Sequence, residues 1–144
     1  MPDLAALAPH DLAAMLLENH DSAWIADLAD ELDRRLRGRE LERVLRVWDV
    51  SRTELGHLLG VSRQALSKWI SDGVPPERMT QVADLAAITD LLTRYLKRDR
   101  IPAVVRRPAA NLGGRSLIEL VRTGRSAEAV ALTRRMFTFA DAHG

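Results

Sequence analysis

The chain of 144 residues has no cysteine. Disulfides and thiolate metal sites are therefore excluded, and a reducing compartment fits. Aromatic residues are scarce, at 4%, whereas apolar residues reach 47%. The core must therefore be built mainly from Leu, Val, Ile and Ala. Strand-like alternation is also missing, so an all-α fold is expected. No apolar run reaches the ~18 residues of a membrane span. The opening "MPDLAALAPHDLAAMLLENHDSAW" is acidic and lacks the basic stretch of a secretory signal. The expectations are no membrane association and a cytoplasmic location. The four histidines, at 10, 20, 57 and 143, are scattered, with neither i,i+4 spacing nor a cysteine partner, so no metal site is expected. No Ser, His and Asp arrangement is suggested by spacing, and no G-x-x-x-x-G-K phosphate loop occurs. We expect no catalytic residue, no cofactor and no enzymatic activity.

What is present is unevenly distributed. Net charge is +1, yet residues 1–40 hold nine acids against four arginines, a net of −5. Residues 41–144 hold eleven acids and seventeen bases, a net of +6, and the last 44 of them alone carry +4. This asymmetry fits an anionic partner for the later part of the chain. An Arg-rich surface that is merely solvated would give the same count. Asp27, Asp30, Glu31 and Asp33 form an acidic cluster, read first as a solvated face.

The punctuation divides the chain into helices. Residues 10–18 read as a short helix, broken at Asn19-His20. Asp21 or Ser22 can cap a second helix with a Trp24, Ile25, Leu28, Leu32, Leu36 stripe, expected to end at Gly38. A third, about 39–49, buries Leu41, Val44, Leu45 and Trp48. Ser51 and Glu54 have capping-box spacing before helices at 52–59 and 62–71. Pro75-Pro76 stop and restart the chain, and the helix from about 76 to 97 carries an apolar stripe wider than one packing partner requires. That stripe can serve two parts of its own chain or a second copy. Residues 97–114 read largely as loop, with a turn of helix around 102–105. Ser116 and Ser126 are positioned to cap the two last helices. The resulting division is an N-terminal helical extension (1–38), a helix-turn-helix core (39–75), a long connecting helix (76–100) and a C-terminal unit (101–144).

The stretch "TELGHLLGVSRQALSKW", Thr53 to Trp69, carries the most information. On a wheel at 100° per residue, Arg63, Gln64, Ser67, Lys68 and Ser71 fill one arc, and Ala65, Leu66, Trp69 and Ile70 fill the opposite one. Gly56 removes a side chain where two helices would cross. Gly60 suits a turn with positive φ. Ser62 caps the second helix and leaves a positive, N–H-bearing end that favours phosphate. The order of small residue, Gly, Val and Ser, with this spacing, is the helix-turn-helix arrangement. A hairpin whose polar face is only wet is the alternative.

"LGVSRQALSKW" resembles the Xre, or lambda-repressor-like, family of DNA-binding domains. The resemblance implies that 62–71 enters the major groove. Gln64 would then address adenine, Arg63 or Lys68 guanine or phosphate, and Arg52 the backbone, with Ser62, Ser67 and Ser71 on the same face. Trp69 departs from the family, which more often has Ile or Val there. Further on, Arg107-Pro108, "LGGRS" at 112–116 and "LIELVRTGR" resemble the C-terminal domain of Xre/MbcA/ParS-type antitoxins. Ala109, Leu117 and Val104 stand where that family usually has Asn, Pro and Trp. This second resemblance implies a RES-domain, NAD-destroying toxin as partner, with Arg107, Asn111, Gly113, Gly114 and Arg115 at or near the contact. It also implies autoregulation of the operon. The glycine pair reads equally as a tight turn, with Asn111 capping locally.

The expected function is a sequence-specific repressor that binds double-stranded operator DNA as a homodimer, the antitoxin of such a pair. Two other readings stay open. One is a free-standing or phage-type regulator without a toxin, whose basic C-terminal unit contacts DNA or a dimer mate. The other is a pure interaction module with a degenerate helix-turn-helix.

Overall fold

The computed structural model describes the backbone of residues 3–143 and the side chains of residues 3–138. Among them are eight α-helices and four short 3-10 turns, with no strand beyond one isolated bridge between Ala109 and Arg115. The all-α expectation holds. The described residues fall into two compact units, one ending at Asp33 and the other starting at Arg34.

The first unit holds a 3-10 turn at Leu4–Ala6, α1 (Pro9–Asn19) and the first part of α2 (Ser22–Trp48). Pro9 opens α1, where its missing N–H is no loss. Asp21 Oδ1 accepts from the Trp24 amide at 2.9 Å and so caps α2. The His20 ring stacks on Trp24 at 3.5 Å. No described side chain of this unit is buried.

The second unit contains the rest of α2, α3 (Arg52–Leu59), α4 (Arg63–Asp72), α5 (Met79–Tyr95), α6 (Ile101–Arg106), α7 (Leu117–Arg122) and α8 (Ser126–His143). Its core runs from Leu41, Val44 and Trp48 on α2 through Leu55, Leu66, Leu85, Ile88 and Leu92 to Ile101, Leu117 and Leu120. α5 packs along α8, α3 against α4 and α7, and α7 against α6 and α8. The wide stripe of α5 is therefore used inside the chain. One side takes α8, where Tyr95 stacks on Phe137 at 4.6 Å. The other takes α2, where Trp48 Nε1 donates to Thr89 Oγ1 at 3.0 Å and that hydroxyl donates to the Leu85 carbonyl at 2.7 Å. A buried indole N–H and a buried hydroxyl thus satisfy one another without water. Arg43 pairs with Asp90 at the edge of the same contact.

Two expectations about helix ends are corrected. Gly38 does not end a helix; α2 runs through it to Trp48. Its role is close approach, since a Cβ there would lie 2.3 Å from the Trp69 carbonyl oxygen of α4. Helix periodicity continues across it, and a glycine one turn from a crossing helix looks in sequence like a stop. Ser126 is likewise no N-cap but the first residue of α8. Its hydroxyl donates to Asp84 Oδ2 on α5 at 2.9 Å.

Candidate nucleic-acid interface and the turn at 109–116

The α3–α4 pair is assembled by backbone geometry that the sequence specifies locally. Ser51 Oγ accepts from the Glu54 amide at 3.0 Å and starts α3. Gly60 closes it in the left-handed conformation, φ 72°. The chain then folds back, and the Val61 amide donates to the Gly56 carbonyl at 2.8 Å. Gly56 is required because a Cβ there would come within 2.9 Å of the Val61 carbonyl oxygen. Ser62 Oγ accepts from the Ala65 amide at 3.0 Å and starts α4.

α4 is divided as its wheel predicts. Leu66 and Trp69 are buried, with Ala65 and Ile70 half-buried beside them. Arg63, Gln64, Lys68 and Ser71 are exposed on the other side, as is Ser62 at the cap. Ser67 is half-buried, because its Oγ accepts from Arg52 Nη1 at 2.9 Å. This contact ties the start of α3 to the polar face of α4. The Ser71 hydroxyl donates to the Lys68 carbonyl at 3.3 Å. The structure thus places all seven sequence-predicted residues on or beside one helix face.

Two cations that sequence reasoning passed over fix this pair to its surroundings. Arg78 Nη1 donates to the Leu59 carbonyl at 2.8 Å and to Gln81 Oε1 at 3.0 Å, and its guanidinium lies 5.6 Å from the Trp69 ring centre. It therefore holds the C-terminal end of α3 and the back of α4 together. Arg106 Nη1 donates to Glu54 Oε1 at 2.7 Å and its Nη2 to the Asp49 carbonyl at 3.0 Å. The hydrogen bond from Arg106 holds the Glu54 carboxyl below its ordinary value, partly opposed by burial and helped by the Arg106 charge. Asp49 has φ 54°, a left-handed conformation that Asp tolerates better than most residues.

The second set of candidate residues surrounds a turn. Gly113 and Gly114 both have positive φ, 68° and 77°. The Gly114 amide donates to the Ala109 carbonyl at 2.9 Å, and the Ala109 amide to the Arg115 carbonyl at 3.2 Å. The glycine pair therefore closes a small loop. Ser116 then caps α7 by accepting from the Glu119 amide at 3.1 Å. Arg115 is half-buried and reaches Glu128 Oε1 on α8 at 3.3 Å. Arg107 and Asn111 are exposed. Asn111 lines an open cavity of about 450 Å³ with Leu132, Arg135 and Met136 of α8. Those three were not singled out from sequence, although their i, i+3, i+4 spacing marks one face of the last helix.

Among the described residues, no group of three or more His, Cys, Asp or Glu is placed to hold a metal ion, and no helix is long and apolar enough to cross a membrane.

The fold and this geometry define an all-α protein in which two short helices, α3 and α4, meet at a tight turn and α4 presents a polar, basic face. No protein-family model and no curated protein matches the chain. Among solved structures it is similar to a chain of the crystal structure of the M. tuberculosis MbcT–MbcA toxin–antitoxin complex, with a TM-score of 0.57 at 24% sequence identity. The likeness covers 69% of this chain and 91% of that one. It is a likeness of fold.

Proposed function

We propose that this protein is a sequence-specific DNA-binding repressor of the Xre type and the antitoxin of a toxin–antitoxin pair. On this reading it binds operator DNA as a homodimer, neutralises a RES-domain toxin that degrades NAD, and represses its own operon. The observation that carries the DNA part is the division of α4, with Leu66 and Trp69 buried behind exposed Arg63, Gln64 and Lys68. An α-helix with its side chains is about 10–12 Å across, which suits a major groove roughly 12 Å wide, and α4 has ten residues. Gln64 can bond an adenine edge through both amide atoms, and Arg63 or Lys68 can reach guanine or phosphate. Ser62 occupies the end of α4 whose free N–H groups favour a phosphate. Arg52, held on Ser67, adds a cation at the rim.

The antitoxin part is supported by the fold likeness to a chain of a toxin–antitoxin complex, which we read as the antitoxin MbcA. It is also supported by the cavity that Asn111 lines with α8, beside the turn closed by Gly113 and Gly114; on this reading Arg107 and Arg115 join the same contact. A free-standing regulator is the second reading. It is favoured by the part of this chain that has no counterpart in that structure.

Two linked readouts test the proposal. The proposal predicts that a RES-type protein is encoded next to this chain and that this protein, expressed alone, depletes cellular NAD. Co-expression of the chain should restore NAD and silence a reporter driven by the shared promoter. Reporter silencing without NAD rescue would favour the free-standing regulator. Neither effect would reject both readings.

A further inference from the structure

The first unit is incomplete by itself. The first 33 residues hold eight acids and no Lys or Arg, and none of the described ones is buried. Between α1 and α2 runs an open groove lined only by apolar side chains, among them Leu16, Leu17, Ile25, Leu28 and Leu32. Leu17 is 64% exposed and Leu32 53%. A helical hairpin of this size lies below the ~40 residues at which a chain usually sustains its own core. It also leaves more contiguous apolar surface in water than isolated surface leucines would.

The chemistry of the groove states what should fill it: an apolar ridge with basic flanks. Such a ridge occurs in this chain. One turn beyond Leu32 on α2, Leu36 is 53% exposed, and Arg35 and Arg39 are exposed beside it. The inner side of that segment is already occupied. Arg34 Nε donates to the Val74 carbonyl at 2.7 Å, and Gly38 backs onto Trp69. Leu36 and Arg39 therefore lie on the outward side, with exposed Arg35 at its edge, its Cγ beside Gly73. Up to Asp33 every charged residue of α2 is an acid, and from Arg34 on six arginines outnumber the two acids Glu40 and Glu42, so two α2 helices running antiparallel set each acidic half against the other's net basic half. Such an arrangement is isologous and closes as a two-fold dimer.

We propose that the groove between α1 and α2 is the dimer surface of this protein, filled by the Arg35–Arg39 segment of α2 from a second copy. Leu36 of one copy enters the groove of the other, and Arg35 and Arg39 meet the acids of that copy's first unit, among them the exposed Asp27, Asp30 and Asp33. This deepens the homodimer in the functional reading above and rests on it. It places the dimer surface away from α5, whose wide apolar stripe packs inside the chain. DNA is excluded as the occupant by the sign of the charge.

Sedimentation equilibrium on the full chain tests this, with circular dichroism confirming that each variant keeps its helicity. The wild-type chain should be a dimer at micromolar concentration. Leu32→Asp should raise the dimer Kd at least tenfold. The pair Arg35→Glu and Arg39→Glu should also weaken the dimer, and that variant should tighten again as salt is raised and like charges are screened. Adding Asp27→Arg, Asp30→Arg and Asp33→Arg to the Arg35→Glu, Arg39→Glu chain should restore wild-type association. A dimer indifferent to all these changes overturns this surface and leaves the homodimer standing. A monomeric wild-type chain overturns both.

Discussion

Single residues decide where the helices of the second unit can approach one another, and two glycines do so for different reasons. At Gly38 the constraint is space, because an added Cβ meets the Trp69 carbonyl at 2.3 Å. At Gly60 it is conformation, because nothing lies within 4 Å of an added Cβ but φ is 72°. Gly38→Ala should cost about 1–3 kcal/mol as an overpacked contact. Gly60→Ala should cost roughly 1–2 kcal/mol for left-handed strain, and Gly60→Asn less, since Asn visits that region. Urea unfolding separates the cases; equal losses for Gly60→Ala and Gly60→Asn would contradict the conformational account. The Glu54–Arg106 pair adds a pH dependence. The folded carboxyl titrates below its ordinary 4.5. Its contribution is therefore present at and above that value and is lost as pH falls below it through the folded pKa. Glu54→Gln should lower stability at neutral pH and flatten this segment of the acid-unfolding curve. An unchanged acid limb would show that the pair contributes nothing.

At the scale of elements, α4 depends on its cap and its buried ridge independently of its exposed face. Ser62→Ala should remove about 1 kcal/mol of stability. Trp69→Ala should remove about 3–5 kcal/mol, the more so because Arg78 loses the ring it lies over. Thermal unfolding reads both; an Ala at 69 as mild as an Ala at 62 would show that the ridge is not part of the core. α3 and α4 were legible in the sequence almost to the residue, because their caps, turn glycine and apolar spacing are all local signals. Gly38 was not legible, since its meaning depends on a carbonyl 31 positions later in the chain. Arg78 and Arg106 were equally silent, because an arginine that clamps a carbonyl reads in sequence like any solvated one. The glycine pair at 113–114 was legible as a turn, whereas the cavity beside Asn111 required α8 to be packed in place. Ser126 misled because its helix-start spacing is genuine, but its hydroxyl turns to Asp84 on another helix.

At the scale of the whole molecule, charge separates two roles. The acidic first 33 residues are suited to meeting basic protein surface, and α4 to meeting an anion. The central claim is that the exposed face of α4 reads DNA. Its most direct test is a fluorescence-anisotropy titration of the promoter DNA upstream of the gene against wild-type, Gln64→Ala and Lys68→Ala protein over a range of salt. Readout by α4 predicts that Gln64→Ala loses ~1–3 kcal/mol of discrimination between promoter and random DNA. It predicts that Lys68→Ala weakens binding to both and lowers the salt slope by about 1. Affinity and salt slope unchanged in both variants would contradict it.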